Sequence, residues 1–474
     1  MEAVTLTFSH WVFLFVILTI FTFMILRRDV VLPSIIGIFI LGFVYNLDQG
    51  FLNGIVASFQ TVFESFLNSG MVLFDIMLVI ALMVAMLKSL QHAGADTLMV
   101  SPLRRLMVNP TTAFFVLGTA MYLAATFFWP TPAVALVGTV LIPVAMKAGL
   151  PAMGAAVSIN LFGHGMALSG DLVIQGATSI TSSAAGLESV DILPYTALFS
   201  LIVGFVAIGL AFLKMRRNMT NGKWDQLETK GVEIADEPTV TPTKSTKFLA
   251  AFVPFVLFSV VLLMLYRAFF NQEQAIQGGE ATALLGGTAV TLLIISSFTT
   301  QGTKAFEDIV VHIREGFFFA IKIFAPVIPI AAFFLLGHPD NAEEVLGEGA
   351  PGFLFDLGTA LAHYIDGNVI TVVLGMVVIS ILAGMDGSGF SGLPLVGALA
   401  AGLGEGVGID VAVLASIGQV ATIFAGGGTL AAWAFGAAAD AGIAGVKPMD
   451  LVRQNFIPVS IGLLVAVVVA ILII

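Results

Sequence analysis

Apolar runs of about 15 to 20 residues, separated by short polar turns, dominate the chain, and such runs match helices crossing a hydrocarbon core of about 30 Å. The pattern predicts spans at 9–26, 30–46, 70–89, 111–129, 133–148, 151–169 and 195–213. It resumes at 248–266, 282–300, 316–336, 368–385, 410–425 and 457–474. An amphipathic stretch at 51–68 precedes the third span, and a short apolar stretch at 352–364 lies at the interface or re-enters. No segment has the alternation of a ~10-residue barrel strand. Two runs are interrupted: Trp129-Pro130-Thr131-Pro132 separates 111–129 from 133–148, and Asp386-Gly387-Ser388-Gly389 opens a broken segment over 386–404. The Gly-rich stretch 426–446 is too interrupted for one helix.

Composition fixes the class. The 474 residues are 58% hydrophobic and only 10% charged, far more apolar than a soluble chain of this length requires. The expected fold is an all-α polytopic membrane protein, an inverted-repeat secondary transporter with broken helices or re-entrant hairpins in each half. Forty Phe and 49 Gly suit lipid-facing bulk and close helix packing. Cysteine is absent, which excludes disulfides, thiolate metal sites and cysteine nucleophiles. A polar linker, 214–247, divides a first transmembrane half, 1–213, from a second, 248–474. Its Glu/Asp/Lys/Thr/Pro content buries no core. The net charge of −11 is modest for this length and signals no nucleic-acid partner.

Charge sets the orientation. Met1-Glu2 is no basic n-region, and Arg27-Arg28 follow the first apolar run, so no cleavable signal peptide is expected. The N-terminus is then outside and Arg27-Arg28 cytoplasmic. Alternate threading puts all but two of the 19 Lys and Arg on the cytoplasmic side, the exceptions being Arg267 and Lys322. The expected location is the cell membrane, multi-pass, with both termini outside and the linker cytoplasmic.

The halves rhyme. Leu136-Val137-Gly138 matches Leu395-Val396-Gly397 at an offset of 259 residues. Ser158-Ile159, Ala167, Gly170 and Leu172 match Ser416-Ile417, Ala425, Gly428 and Leu430 at 258. Threading makes the corresponding spans run in opposite senses, which is an inverted repeat. Paired, Gly/Pro-interrupted apolar segments at corresponding places point to a transporter's binding site.

Several polar residues stand inside apolar sequence. Asp75 and Lys322 occupy near-equivalent positions, and an ionisable group at such depth is costly unless paired or hydrated. They are expected to form an ion pair in the bundle interior, structural or coupling, with snorkelling to an interface the alternative. Pro130 and Pro132 lack amide protons and free carbonyls of the preceding turn, which protein, water, an ion or a substrate must satisfy. Thr131 adds a hydroxyl. In the second half, Gly387 to Gly392 exposes amides and the hydroxyls of Ser388 and Ser391, and a half-helix from about Leu393 would aim its positive end at an anion. Asp386 would ligate Na⁺ or carry a proton; no cofactor is expected beyond that ion. Asn160 and His164, four apart, share a helical face and line a polar cavity or simply pack. Asp171 is a site residue or a cap. Gln419 and Thr422 face one way, ahead of Gly426-Gly427-Gly428-Thr429, whose free backbone suits an ion, a substrate or close packing. Nucleotide loops, zinc-protease motifs and nucleophile elbows are missing from the sequence.

At the interrupted segments the chain resembles secondary carriers of the ion transporter superfamily, which includes citrate, C4-dicarboxylate and gluconate carriers and the large membrane subunits of TRAP-type systems. Met385-Asp386-Gly387-Ser388-Gly389 is similar to the Asp/Gly/Ser-rich stretches of citrate-type carriers. The Ser-Asn-Thr motif that sodium–dicarboxylate carriers bear at each hairpin tip is missing. The resemblance implies an ion-coupled carrier of small organic anions, often a homodimer, working by alternating access. The leading function is thus symport of a carboxylate with Na⁺ or H⁺. The site would combine Thr131, Asn160, His164, Asp386, Ser388, Ser391, Gln419 and Thr429. The alternative is a cation/proton antiporter without organic substrate, using Asp75, Lys322, Asp386 and His164. A non-transporting subunit or an enzyme is disfavoured by the missing catalytic motifs. No arginine stands in the predicted site segments, so a bidentate carboxylate clamp is not available.

Overall fold

The computed structural model describes residues 6–26, 28–220, 243–270, 279–362, 368–385, 387, 389–432 and 434–474, and these are helices and turns without strands. The first half opens with α1 (Phe8–Ile25), α2 (Val31–Tyr45), the long α3 (Phe51–His92) and the short α4 (Ala95–Val100). α5 (Pro110–Phe128) starts in a capping box, where the Asn109 side chain accepts from the Thr112 amide at 2.9 Å. It ends at Trp129, and α6 (Pro130–Lys147) follows at once. α7 (Ala152–Ile159) widens into a π-helix, Asn160–Ala167, and closes in the single turn α8 (Leu168–Gly170). α9 (Gly176–Ala184) and α10 (Ser189–Thr220) complete the half.

The second half contains α11 (Lys244–Phe270), α12 (Gly279–Gln301), α13 (Ala305–Phe324), α14 (Val327–Leu335), α15 (Pro339–Leu346) and α16 (Phe353–Ala362). Then come α17 (Val369–Gly384), a turn, α18 (Leu393–Val407) and α19 (Val411–Phe424), which widens into a second π-helix, Ala425–Thr429. α20 (Phe435–Ala444) and α21 (Pro448–Ile473) end the chain. Among the described residues, seven helical stretches are long and apolar enough to cross a membrane. α3, bent by 47° between Asp75 and Met77, is an eighth if it counts as one span.

Several expected boundaries move. The stretches 51–68 and 70–89 are one helix, because nothing in Asn68-Ser69-Gly70 removes an amide from the ladder. The expected span 316–336 is instead α13 and α14, broken at Ala325-Pro326, where proline cannot donate. α9 was not expected: Gly176-Ala177-Thr178-Ser179-Ile180-Thr181-Ser182-Ser183-Ala184 reads as polar, yet nearly all of it is buried between helices. Residues 221–242, most of the linker, lie outside those described.

The sequence rhyme has a structural counterpart. Val369, Val411, Phe435 and Pro448 begin α17, α19, α20 and α21; each stands 259 residues after the first residue of α5, α7, α9 and α10, namely Pro110, Ala152, Gly176 and Ser189. Packing crosses over reciprocally, with α6 against α20 and α18 against α9. Gly138 and Gly397 serve these two contacts. A Cβ on Gly138 would meet Ile443 Cγ1 at 2.8 Å, and one on Gly397 would meet Ala184 Cβ at 2.9 Å and the Thr181 carbonyl oxygen at 2.2 Å. Gly397 and Ile443 stand 259 residues after Gly138 and Ala184. The two contacts are thus reciprocal: residue i meets j, and the equivalent of j meets the equivalent of i.

Candidate functional site: a buried polar node between two π-broken helices

The two π-helices pack against each other at the centre of this arrangement. A π-turn widens the helix and is frequent at functional sites. Asn160 opens the first one and sends its side chain across to the other half. Its Nδ2 donates to Asp440 Oδ2 at 2.8 Å and to the Gly428 carbonyl at 3.2 Å. His164, one turn on, places Nδ1 2.8 Å from the same Asp440 Oδ2. A carboxylate only accepts, so Nδ1 carries the hydrogen. Asn455 of α21 donates from Nδ2 to Asn160 Oδ1 at 2.7 Å. All four side chains are fully buried. Gly436 lets α20 come this close: a Cβ there would stand 2.0 Å from the Gly427 carbonyl and 2.7 Å from the His164 ring. Phe435 covers the imidazole edge-on at 5.7 Å.

Asn160 has an equivalent 259 residues later in Gln419. Gln419 Nε2 donates to the Ser169 carbonyl at 3.1 Å, and Ser169 is the equivalent of Gly428 at the same interval. A weaker contact joins Gln419 Nε2 to Thr178 Oγ1 at 3.4 Å, where Asn160 has Asp440. The structural register is therefore 259 across this region, one residue more than the 258 of the sequence rhyme. Matches among Ala, Gly and Ser are too common to fix register alone.

The charged node is poor in donors. Asp440 Oδ1, Asn455 Oδ1 and His164 Nε2 are buried without hydrogen-bond partners. Among the described residues no Lys or Arg is buried. Such a set of acceptors in a low dielectric calls for a cation or a proton.

The two breaks meet. The Trp129 and Phe390 rings lie 5.0 Å apart. Trp129 holds the left-handed region at φ +69°, unusual for a bulky residue and so a strained point. Trp129 Nε1 and Thr131 Oγ1 are buried without partners. Ser391, in the opposing turn, is buried. The turn touches the glycine run: a Cβ on Gly389 would sit 3.0 Å from the Gly427 amide. The Phe435 amide donates to the Gly387 carbonyl at 3.3 Å, tying that turn to α20.

Of the expected site residues, Asn160 and His164 share the charged node, Gln419 holds its equivalent, and Thr131 and Ser391 flank the meeting of the breaks. Asp386 and Ser388 lie outside the described residues. The Thr429 hydroxyl donates to the Phe424 carbonyl and closes the second π-helix, a local structural role. Thr422 likewise donates to the Ser380 carbonyl at 3.0 Å. Asp171 is a cap: its carboxylate accepts from the amides of Gln175 at 3.1 Å and Ala177 at 2.8 Å at the start of α9. Asp75 and Lys322 are corrected in burial. Both side chains are exposed, on the packed helices α3 and α13, not in the bundle interior. Each stands on a helix face turned outward, which the charge rhyme could not reveal. Asp440 and Asn455 were missed. The available signal is a lone acid in Ala437-Ala438-Ala439-Asp440-Ala441, within the Gly-rich stretch 426–446.

Over 471 residues, 98% of each chain, the sequence is 36% identical to the membrane protein YhfA of Bacillus subtilis (strain 168). The chain belongs to the YhfA family of membrane proteins. No protein-family model matches it. Its fold is similar to that of the YdaH transporter of Alcanivorax borkumensis, with a TM-score of 0.52 at 14% identity over 84% of both chains. It is also similar to Neisseria gonorrhoeae MtrF, from a class of antimetabolite efflux pumps, with a TM-score of 0.53 at 13% identity over 90% of this chain and 85% of that one. At such identities the likeness is one of fold alone. The chain is thus a multi-pass membrane protein whose fold is like that of these transporters. None of these three proteins is named as a citrate, C4-dicarboxylate or gluconate carrier, so the expected membership of that superfamily reduces to this coarser statement.

Proposed function

We propose that the protein is a secondary transporter in the cell membrane, moving a small organic anion together with a cation by alternating access. The observation that carries this reading is Asp440: a fully buried carboxylate of the second half, one oxygen unpartnered, held by Asn160 and His164 of the first where two π-broken helices cross. A group fixed by both halves feels any movement of one against the other. The reciprocal contacts support an inverted repeat, with its axis in the membrane plane as the charge topology expects. The cation belongs at Asp440, where acceptors outnumber donors. The anion belongs at the meeting of the breaks, where Trp129 Nε1 and Thr131 Oγ1 are donors without partners. Asp386 and Ser388, which precede α18 in the sequence, would join that site. Pro130, Pro132 and Pro394 thin out the amides at the starts of α6 and α18, so side-chain donors matter more there.

MtrF belongs to a class of efflux pumps, so export is as compatible with this reading as uptake. A cation/proton antiporter is the second reading, favoured by the absence of a buried Lys or Arg among the described residues to meet an anion. Uptake of radiolabelled citrate, succinate and gluconate into proteoliposomes, with and without a cation gradient, separates the two. Gradient-dependent accumulation is expected, weakened in Thr131→Val and Asp386→Asn. Cation exchange with no carboxylate movement in either direction would favour the antiporter.

A further inference from the structure

We propose that the coupling ion is a proton, taken up at Nε2 of His164 on the His164–Asp440 pair. This rests on the carrier reading above and names its cation. The three unpartnered atoms of the node, Asp440 Oδ1, Asn455 Oδ1 and His164 Nε2, are all lone-pair bearers, and none is a donor. A hard metal ion typically takes about six oxygen ligands. The node offers two free side-chain oxygens and an imidazole nitrogen, too few and of the wrong kind. A proton needs one lone pair, and Nε2 presents one.

The step balances simply. A proton adds to the Nε2 lone pair, no bond breaks, and Nδ1–H keeps donating to Asp440 Oδ2. The pair passes from net charge −1 to zero. A carboxylate without a cationic partner is costly in a closed, low-dielectric interior, whereas a hydrogen-bonded imidazolium–carboxylate pair is not left uncompensated. Closure therefore favours the loaded node, and opening to water on the far side lets the proton leave. That is coupling through charge burial.

Among the described residues no other group takes over this part. α20 packs against α6, α7, α21 and both π-helices. In these elements α6 carries only Lys147, in its last turn, and α21 carries Asp450 and Arg453 near its start, 3.4 Å apart. α7 and the π-helices carry only His164. The first π-helix also touches α5, α8, α10 and α19. α5 contributes Tyr122; α8 and α19 contribute nothing titratable; α10 carries Asp191 and Tyr195 at one end and Lys214, Arg216 and Arg217 at the other.

Infrared titration of the purified full chain in lipid nanodiscs, with isotope-labelled histidine, follows ring protonation without any substrate. The chain has six histidines, so the signal is the component of the imidazolium band that His164→Gln removes; that component is expected to be proton-dependent, displaced in pH in Asp440→Asn, and unchanged when choline replaces sodium. Sodium displacing any part of the band at fixed pH, or a titration in His164→Gln identical to that of wild type, overturns the proposal. The sodium comparison uses wild type alone, so it stands even if a variant fails to fold. In proteoliposomes, an inward-acid gradient should drive labelled carboxylate accumulation of up to about tenfold per pH unit for one proton per anion. With His164→Gln the ratio should fall to about one. Accumulation driven by sodium and indifferent to pH overturns the proton and leaves the carrier. The infrared band present, with no carboxylate moved under either gradient, supports the proton site and removes the carboxylate reading.

Discussion

Asn160 and Gln419 do the same job in the two halves and end in different chemistry. Each leaves a helix that widens into a π-turn, crosses to the other half, and donates to a backbone carbonyl, Gly428 or Ser169. Beyond that carbonyl the halves diverge. Asn160 reaches a carboxylate that also binds a histidine; Gln419 reaches only a threonine hydroxyl at 3.4 Å. At an interval of 259, Asp440 corresponds to Thr181, His164 to Ile423 and Asn455 to Thr196. A repeated scaffold thus carries an ionisable centre at one of its two crossings. The cross-bond to a carbonyl is architecture, common to both halves, and the charge is an addition to one of them.

That contrast can be broken in several ways. The largest effect should come from Asp440→Ala. It leaves the Asn160 amide and the His164 ring without their acceptor in a closed interior, at about 1–3 kcal/mol per group. Thr181→Ala loses only a hydroxyl donating to its own helix at Ala177, worth about 1 kcal/mol or less. Thermal unfolding in one detergent compares them, and equal losses would mean that the acid is no more embedded than its equivalent. Next, Asn160→Leu should cost about 2–3 kcal/mol, since it strips a donor from Asp440 and an acceptor from Asn455. Gln419→Leu, which deprives the Ser169 carbonyl alone of a strong bond, should cost about 1 kcal/mol. The reverse ranking would sink the charged-versus-neutral distinction.

The glycine pair sharpens the comparison at the packing level. Gly397→Ala forces a methyl against the Thr181 carbonyl oxygen, a backbone atom, and should destabilise by about 1–3 kcal/mol. Gly138→Ala meets the end of the Ile443 side chain, which can rotate, and should cost less. A larger loss at Gly138 would contradict that reading. The smallest effect is expected from cross-linking. The chain has no native cysteine, so paired substitutions report cleanly. Gly397→Cys with Ala184→Cys, and Gly138→Cys with Ile443→Cys, should both oxidise to disulfides once the helices ease apart slightly, because a Cβ at Gly397 would stand 2.9 Å from Ala184 Cβ and one at Gly138 2.8 Å from Ile443 Cγ1, inside a disulfide's Cβ separation of about 3.5–4.5 Å. One pair linking and the other staying reduced would show that the halves are not reciprocal.

The membrane class, the two interrupted helices and a recurrence about 259 residues apart, which the helix starts follow, were all legible in the sequence. Each rests on a property of a local window: apolar length, proline without an amide, or recurrent small residues. The convergence of Asn160 with His164 was legible too, because four residues is one helical turn. The burial of Asp75 and Lys322 was not, since apolar neighbours along a chain do not say which way a helix face turns. α9 was hidden because Thr and Ser look like loop residues, although in a buried helix their hydroxyls satisfy themselves on the preceding turn, as Thr181 does.

By itself the sequence determined that this chain crosses a membrane many times as helix and that its two halves share a plan. Hydrophobic length and backbone hydrogen-bond supply are local quantities, and the bilayer enforces both. Only the tertiary structure decided which polar groups work together. Asp440 stands 276 residues from His164 and 280 from Asn160, and the meaning of a buried charge lies in the neighbour that shares its burial. No window of sequence contains that neighbour; the crossing of two π-widened helices supplies it.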